Sequence, residues 1–337
     1  MKILVTGGCG FIGSAVVRHL IRNTDHEVIN VDKMTYAANV EAIEEAKYSD
    51  RHHLIKADIS DMSKILEVFF NHNPDAVMHL AAESHVDRSI SGPAEFIKTN
   101  VVGTFTMLEA ARSYYEQIRN NERKNNFRFH HISTDEVFGA LEQNDPPFNE
   151  DTRYDPRSPY SASKAGSDHL VRAWHHTYGL PTIISNTTNN YGPWQFPEKL
   201  IPLVIAKALK GEKIPVYGNG QNMRDWLYVE DHAVALVNVV TQGRIGATYA
   251  IGARQPRKNI DVVKTICKII DDRIPDSAGS RDRLIEFVTD RAGHDFRYEI
   301  DPSRSEKELE WKAKYNFERG IADTIDWYLN NSKYLDI

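Results

Sequence analysis

The first half of the chain alternates short apolar runs with longer segments of helical period. Apolar runs occupy residues 3–5, 28–31, 53–57, 76–80, 127–133 and 182–185. Segments of helical period occupy residues 13–22, 100–118 and 160–178. Short apolar strands joined by crossover helices are typical of a parallel sheet with both faces covered. The pattern therefore predicts an α/β fold built on a Rossmann-type, doubly wound parallel sheet, with residues 182–185 as its last strand.

The pattern changes after residue 186, where proline and glycine become frequent and the alternation weakens. It partly returns at residues 233–240 and 248–251. We predict a first domain over residues 1–185 and a smaller, mixed C-terminal domain over residues 186–337. The segment from about 225 to 252 is expected to return to the first domain.

Composition and charge narrow the class of protein. The 337 residues are 41% hydrophobic and 26% charged, with a net charge of −6. An acidic balance disfavours a general nucleic-acid or membrane-surface binder. No run of about 18 apolar residues is present, and the N-terminus lacks the pattern of a signal peptide. The two cysteines, Cys9 and Cys267, suggest reduced thiols, so we expect a cytoplasmic protein.

A glycine-rich loop follows the first predicted strand and precedes the first predicted helix. Gly7, Gly10 and Gly13 allow a tight turn, close approach of a pyrophosphate and close packing of helix on strand. The helix N-terminus then offers free N–H groups to phosphate. Asp32 ends the second strand, where a carboxylate can accept hydrogen bonds from ribose hydroxyls and would repel a 2′-phosphate. We therefore expect NAD rather than NADP.

A second motif lies on the helix predicted at 160–178. Tyr160 and Lys164 are four residues apart and share one face of that helix. An ammonium close to a phenol favours the phenolate, so we expect Lys164 to lower the pKa of Tyr160 toward neutral pH. Such a tyrosine could take a hydroxyl proton while hydride leaves the same carbon. Ser133 and Thr134 end a predicted parallel strand, where ligands of such sheets bind.

Further motifs extend this pattern along nearly the whole chain. They are the loop from Thr6 to Gly13, the Tyr160-x-x-x-Lys164 pair, and the segments at 81–89, 133–137, 189–193, 196–202 and 224–226. Together they resemble the extended short-chain dehydrogenase/reductase family, and within it the nucleotide-sugar 4,6-dehydratases. The resemblance implies an NAD-binding first domain, a nucleotide-sugar-binding second domain and dTDP-glucose as substrate.

The resemblance also implies a three-step reaction in deoxysugar biosynthesis. Tyr160, helped by Lys164, would oxidise the sugar at C4 while Thr134 hydrogen-bonds the C4 oxygen. Glu136 would remove the C5 proton and Asp135 would protonate the departing C6 hydroxyl. Hydride would then return to C6, leaving dTDP-4-dehydro-6-deoxy-glucose and water. Two neighbouring carboxyls suit these roles, because their mutual repulsion separates their pKa values.

Contacts to both ligands are implied by the same resemblance. The implied cofactor contacts are Gly7, Gly10, Phe11, Ile12, Gly13, Asp32, Lys33, Thr35, Asp58, Ile59, Leu80, Ala81, Ala82, Thr99, Tyr160, Lys164 and Asn190. The implied substrate contacts are Ser84, Thr134, Asn189, Glu198, Lys199, Arg224, Asn259, Asp290, Arg291 and His294. Arginines suit a diphosphate, because guanidinium can donate two parallel hydrogen bonds. The chain departs from the family pattern at Phe138, Ala250 and Ala253-Arg254, and Thr187-Thr188 precede Asn189 where small residues or cysteine are common.

Two other functions stay open at this point. Another nucleotide-sugar enzyme of the same fold, such as a UDP-sugar 4-epimerase, would use the glycine loop and Tyr160 without needing two acids after Thr134. A non-catalytic NAD-binding protein would not need the Tyr160–Lys164 pair, which is intact here.

The sequence also gives expectations about metal binding and about assembly. Three adjacent histidine pairs, at 52–53, 130–131 and 175–176, have poor geometry for chelation, so we expect no metal. The helices at 100–118 and 160–178 carry more apolar residues than one covered face needs, and the family pairs two helices per subunit. We therefore expect a homodimer.

Overall fold

The computed structural model of the protein describes residues 1–335. Its strands are β1 (Lys2–Thr6), β2 (Glu27–Asp32), β3 (His52–Lys56), β4 (Ala76–His79), β5 (Arg128–Thr134), β6 (Thr182–Thr187), β7 (Asn189–Tyr191), β8 (Ile214–Tyr217), β9 (Met223–Tyr228), β10 (Thr248–Ile251), β11 (Pro256–Lys258), β12 (Ile285–Val288) and β13 (Arg297–Tyr298).

The helices alternate with these strands in the first half of the chain. They are α1 (Phe11–Asn23), α2 (Met62–His72), α3 (Val86–Ser91), α4 (Pro93–Phe96), α5 (Thr104–Gln117), α6 (Asn121–Asn126), α7 (Pro159–Tyr178), α8 (Leu200–Lys210), α9 (Val229–Gln242), α10 (Asn259–Arg273), α11 (Ser303–Glu308) and α12 (Phe317–Asn330). A π-helical segment, Ile97–Gly103, joins α4 to α5, and 3₁₀ turns lie at Val40–Tyr48, Asp135–Phe138, Arg281–Leu284 and Ser332–Leu335.

Seven parallel strands form the main sheet, in the order β10-β6-β5-β4-β1-β2-β3. Chain order reverses between β1 and β4, so a crevice opens there at the carboxyl ends of the strands. Apolar clusters cover both faces, one containing α1 and α9 and the other α2, α5 and α7. The predicted Rossmann-type fold is confirmed.

The main sheet continues beyond its predicted last strand. β10 pairs with β6 in parallel, from Thr248 opposite Ile184 to Ile251 opposite Thr187. The helix expected over 100–118 belongs to a longer helical run that begins at Pro93. The turns before residue 100 were not predicted, because the exposed Ile97 interrupts the amphipathic pattern there.

The segment at 225–252 divides between two sheets. α9 packs against α1 through Leu236 and Val240, and β10 joins the main sheet. β9 instead pairs with β7, β11 and β13 in a second sheet. The division into two domains at residue 186 stays a prediction. The last two residues of the predicted second domain, 336 and 337, lie outside the described part of the chain.

The C-terminal half has its own apolar core. α8, α10 and α12 pack together through Ile205, Val263, Ile266, Ile325 and Tyr328, all fully buried. Hydrophobic burial of this kind is enough to hold the small sheets above the crevice without a disulfide. Within residues 1–335, no helix is both long and apolar enough to cross a membrane.

Candidate active site

A cleft runs along the carboxyl ends of β1, β2, β4, β5 and β6 and continues under the segment 187–199. All the residues expected to contact the cofactor line this cleft. So do Thr134, Asp135 and Glu136, together with Ser84, Asn189, Glu198 and Lys199. The structure thus brings the two predicted motifs to one place.

The glycine loop approaches the strands too closely for side chains. Gly7 has φ +72, and a Cβ there would lie 2.9 Å from the backbone of Ala81. A Cβ on Gly13 would overlap the carbonyl oxygen of Gly7. α1 starts after Gly10 with no side-chain cap and no acidic residue in its first turn. Its first N–H groups therefore suit a phosphate, which fits a dinucleotide.

Asp32 fastens the glycine loop to the end of β2. Its Oδ2 accepts a hydrogen bond from the backbone N–H of Cys9 at 2.9 Å, and its Oδ1 accepts one from Met34 at 2.8 Å. Each carboxylate oxygen can accept more than one hydrogen bond, so the ribose hydroxyls of a dinucleotide still find acceptors. Lys33, the residue after Asp32, forms an ion pair at 2.8 Å with Asp58, which follows the neighbouring strand β3.

Asp135 and Glu136 follow β5 in a short 3₁₀ turn and have different electrostatic surroundings. Burial and the charge of Glu136 raise the pKa of Asp135 to about 8. Burial also raises the pKa of Glu136, but the positive charges of Arg291, Arg224 and Lys199 oppose this effect. The two acids therefore differ in the charges that act on them: the charge of Glu136 adds to the rise in the pKa of Asp135, and three cations oppose the rise in the pKa of Glu136. This difference suits Asp135 to the role of an acid and Glu136 to that of a base.

The Tyr160–Lys164 pair lies buried on α7, with one expectation corrected. Burial raises the pKa of Tyr160, as does the charge of Glu136, while the Thr134 hydroxyl acts in the opposite direction. Burial lowers the pKa of Lys164 to about 8, and its Nζ donates to the carbonyl oxygen of Ile132 at 2.8 Å. The predicted lowering of the pKa of Tyr160 is wrong for the protein alone, because burial and the charge of Glu136 raise it.

Five expected substrate residues do not line the cleft as the structure has it: Arg224, Asn259, Asp290, Arg291 and His294. Arg224 and Arg291 are close enough for their charges to act on Glu136. Asn259 begins α10, and its buried Oδ1 has no hydrogen-bond partner. The Nδ1 of His294 and the Oδ1 of Asp290 form a hydrogen bond at 2.6 Å.

Some of these side chains are held by contacts across the cleft mouth. Arg291 lies 3.5 Å from Asp87, and Lys199 donates to the carbonyl oxygen of Ser84 at 2.9 Å. Arg88 forms an ion pair with Glu198 at 2.9 Å.

Of the departures from the family pattern, Thr187 and Thr188 line the cleft, and Phe138, Ala250 and Ala253-Arg254 lie outside its lining. Phe138 packs on Phe148 and Tyr154, with ring centroids 5.2 and 5.3 Å apart. Ala250 is buried in the same cluster, and Arg254 forms surface ion pairs. None of these side chains removes a group from the cleft.

Sequence analysis missed several groups of the site. Tyr36, Gln195 and Phe196 line the cleft, but they lie in loops without a periodic signal. It also missed Asp168, whose spacing of four from Lys164 was a usable signal. Among residues 1–335 no group of three or more His, Cys, Asp or Glu side chains could hold a metal ion.

The fold and the cleft define a dinucleotide-binding protein of the extended short-chain dehydrogenase/reductase class. The family model described as GDP-mannose 4,6 dehydratase matches residues 4–324. A dTDP-glucose 4,6-dehydratase of Escherichia coli is 59% identical, over 99% of this chain and 95% of that relative. One of Haemophilus influenzae is 52% identical, over 98% of this chain and 99% of that relative.

Solved structures give the same result. The dTDP-glucose 4,6-dehydratase of Streptomyces venezuelae, with NAD and TDP bound, has a TM-score of 0.89 at 38% identity and covers 100% of this chain and 99% of that one. A UDP-glucose 4-epimerase of Thermotoga maritima has a TM-score of 0.86 at 26% identity, over 98% of this chain and 100% of that one. This chain belongs to the dTDP-glucose 4,6-dehydratase family.

The glycine loop yields a first prediction. Gly13→Ala places a methyl group on the Gly7 carbonyl, so the loop must open and the protein should lose bound NAD and stability. Gly166→Ala on α7 is the matched control, since its Cβ would lie 3.7 Å from Val101, an ordinary contact. NAD content after purification and thermal unfolding measure both effects. Normal NAD content in Gly13→Ala would contradict the fit of the loop to a dinucleotide.

The raised pKa of Asp135 yields a second prediction. The folded pKa of about 8 lies above the unfolded value of about 3.9, so the folded protein binds this proton more tightly. Its contribution to stability is complete below pH 4 and is lost as pH rises toward 8. Asp135→Asn does not titrate, so its stability relative to the parent should rise between pH 5 and pH 8 by roughly 3 kcal/mol, because a difference of one bound proton changes stability by about 1.4 kcal/mol per pH unit.

Urea unfolding at the two pH values measures this gain. Asp151→Asn is the control, because the Asp151 side chain is 85% exposed. A difference between Asp135→Asn and the parent that does not change with pH would show that Asp135 titrates normally.

Proposed function

We propose that the protein converts dTDP-glucose to dTDP-4-dehydro-6-deoxy-glucose and water. One observation carries this assignment: two adjacent buried acids, which differ in the charges that act on them, follow Thr134 beside the Tyr160–Lys164 pair. The identity to dTDP-glucose 4,6-dehydratases over nearly the full chain supports the same assignment. The cofactor is NAD, which, when bound, takes hydride from C4 of the sugar and gives it back at C6.

The protein's own groups handle the protons of the first step. Tyr160 takes the proton of the C4 hydroxyl, and Thr134 holds the C4 oxygen. Because burial disfavours its phenolate, Tyr160 needs the positive charge of Lys164, one turn along α7, to ionise. The C4 ketone formed in this way makes the C5 proton more acidic.

The two acids handle the protons of the second step. Glu136 ionises more readily because three cations act on it, so it removes the C5 proton. Asp135 keeps its proton at neutral pH and delivers it to the C6 hydroxyl, which leaves as water. A proton from Glu136 then returns to C5. A single pair of carboxylates thereby supplies both the base and the acid of the elimination.

The nucleotide part of the substrate needs cations. Arg224, Arg291 and Lys199 supply them, and Asn189, Glu198 and Asn259 offer hydrogen bonds. We propose that the diphosphate displaces the contacts of Arg291 with Asp87 and of Lys199 with Ser84.

A nucleotide-sugar 4-epimerase is the competing function for this fold. Its reaction oxidises and reduces C4 without removing the C5 proton. The buried acid pair has no task in that reaction, and burying two carboxyls without one is costly. The dehydratase assignment explains the pair.

Incubation with dTDP-glucose and NAD tests the assignment by mass spectrometry. The product should be one water lighter than the substrate, and NADH should not accumulate, because hydride leaves and returns within one cycle. A product of unchanged mass would support the epimerase, and stoichiometric NADH would overturn the internal redox cycle.

Variants of the acid pair give a third prediction. Asp135→Asn should keep C4 oxidation but lose about 10²–10⁴-fold in overall rate, because an amide cannot donate the proton as an acid. Glu136→Gln should stop exchange of the C5 proton with solvent. Absorbance of bound NADH in a single turnover reports the first step, and deuterium at C5 the second. Dehydration at the parental rate in both variants would return the acid pair to a structural role.

The assembly that we propose is a cytoplasmic homodimer. Phe105 on α5 and Tyr178 on α7 are 41% and 49% exposed, and both rings contact Trp174 between them. Val102 and Ile97 extend this apolar face along the same helical run. Two copies of the face would bury it in an interface between helices.

Light scattering provides the fourth prediction. The parent should have about twice the mass of one 38.4 kDa chain, and Phe105→Asp should have the mass of one chain. Phe287→Asp, at a 58% exposed position on β12, is the control and should stay dimeric. A parent of monomeric mass at micromolar concentration would contradict the proposal.

A further inference from the structure

Asp168 is a buried carboxylate behind the active site that the proposed reaction does not use. It lies on α7 and is 0% exposed. Its Oδ2 accepts hydrogen bonds from the hydroxyls of Ser133 at 2.9 Å and Tyr154 at 2.8 Å and from the amide of Asn186 at 3.2 Å. His131 Nε2 lies 3.2 Å from its Oδ1. Burying a carboxylate is costly, so this site is built to hold one.

The carboxylate is next to the Lys164 side chain. Lys164 precedes Asp168 by one turn of α7, so the two side chains share a face of the helix. The Nζ of Lys164 donates to the carbonyl oxygen of Ile132, the residue that precedes Ser133. The ammonium of Lys164 and the carboxylate of Asp168 are therefore both hydrogen-bonded to residues near the end of β5, Ile132 and Ser133. The charge of Asp168 opposes the effect of burial on Lys164.

Asp168 is also linked to the strand end that carries Thr134. The amide of Asn186 donates to Asp168 and, at 3.1 Å, to the carbonyl oxygen of Thr134. The hydroxyl of Thr187 donates to the carbonyl oxygen of Ser133 at 3.2 Å. One side chain thus separates the carboxylate from the backbone of a reacting residue.

The other titratable groups around Lys164 supply no negative charge near neutral pH, so the ammonium depends on the carboxylate of Asp168. The groups that surround the pair are His79 of β4, His131 of β5, Tyr154 of the loop before α7, and Tyr160 and Arg172 of α7. Burial lowers the pKa of His131 to about 4 and that of His79 well below its usual value, so both are neutral. Burial raises the pKa values of Tyr154 and Tyr160, so neither supplies a negative charge near neutral pH.

We propose that Asp168 is a positioning residue of the reaction: it supplies the counter-charge that keeps Lys164 an ammonium ion, and through Asn186 and Ser133 it fixes the strand end that carries Thr134. The first step depends on this ammonium, because it favours ionisation of Tyr160. The proposal rests on the proposed function and adds to it a residue that touches neither substrate nor cofactor.

Asp168→Asn removes the negative charge of this side chain and keeps nearly the same shape. The amide oxygen can still accept hydrogen bonds from Ser133 and Tyr154, but the negative charge is gone. Without it, Lys164 loses its proton at lower pH. The alkaline limb of the pH profile of kcat should therefore move down by about 1–3 pH units, with little change in KM. At pH 8, kcat should fall at least about tenfold.

Asp231→Asn is the matched control. Asp231 is also buried, and it accepts hydrogen bonds from the backbone N–H groups of Lys314 and Tyr315, but it lies on α9 and not on the helix that carries Lys164. Both substitutions should lower the melting temperature, and only Asp168→Asn should shift the pH profile. Asp168→Glu, which keeps the charge, should retain the alkaline limb of the parent.

Every result of this experiment either supports the role of Asp168 or overturns it. A parent without dehydratase activity defeats the proposed function before this test begins. With an active parent, an unshifted alkaline limb in Asp168→Asn, or an equal shift in Asp231→Asn, overturns the role of Asp168. If Asp168→Asn does not fold, Asp168→Ser is the second neutral variant and the same shift is expected. If neither folds while Asp231→Asn does, Asp168 serves folding and the proposal fails.

Discussion

Burial of ionisable side chains at the carboxyl ends of β5 and β6 is the constraint on which the site depends. These two strands run side by side, with Thr134 opposite Thr187, so the residues that follow them enter the cleft together. The side chains there are almost fully buried: Thr134, Asp135, Lys164 and Asp168 are each at most 8% exposed. Every charge placed there must be compensated by another charge or by hydrogen bonds.

The compensation differs from group to group, and this difference gives each group its role. Burial raises the pKa of Glu136, but the positive charges of the C-terminal half oppose this rise, while burial and the charge of Glu136 raise the pKa of Asp135 to about 8. Lys164 is compensated from behind by Asp168. The cations that act on Glu136 come from residues 199, 224 and 291, so the second half of the chain tunes an acid pair carried by the first.

Much of the fold and site could be predicted from the sequence, because those parts have local signatures. The glycine loop and Asp32 lie next to strands of clear apolar pattern, and Tyr160 and Lys164 have helical spacing. The placement of β10 beside β6 depends on pairing across about sixty residues, which no local pattern records. The pKa of Tyr160 depends on desolvation, which the spacing to Lys164 does not reveal. Asp168 was missed because its partners Ser133, Tyr154 and Asn186 come from three separate segments.

The proposed reaction depends on Asp135 being a protonated acid in the folded protein. Carbon-13 NMR of the carboxyl groups, with Asp135→Asn used to assign the resonance, follows its titration directly in the protein without substrate. We predict that Asp135 titrates with a pKa of about 8, after the other carboxyls have ionised. A titration near the ordinary aspartate value of about 3.9 would contradict the division of labour between the two acids.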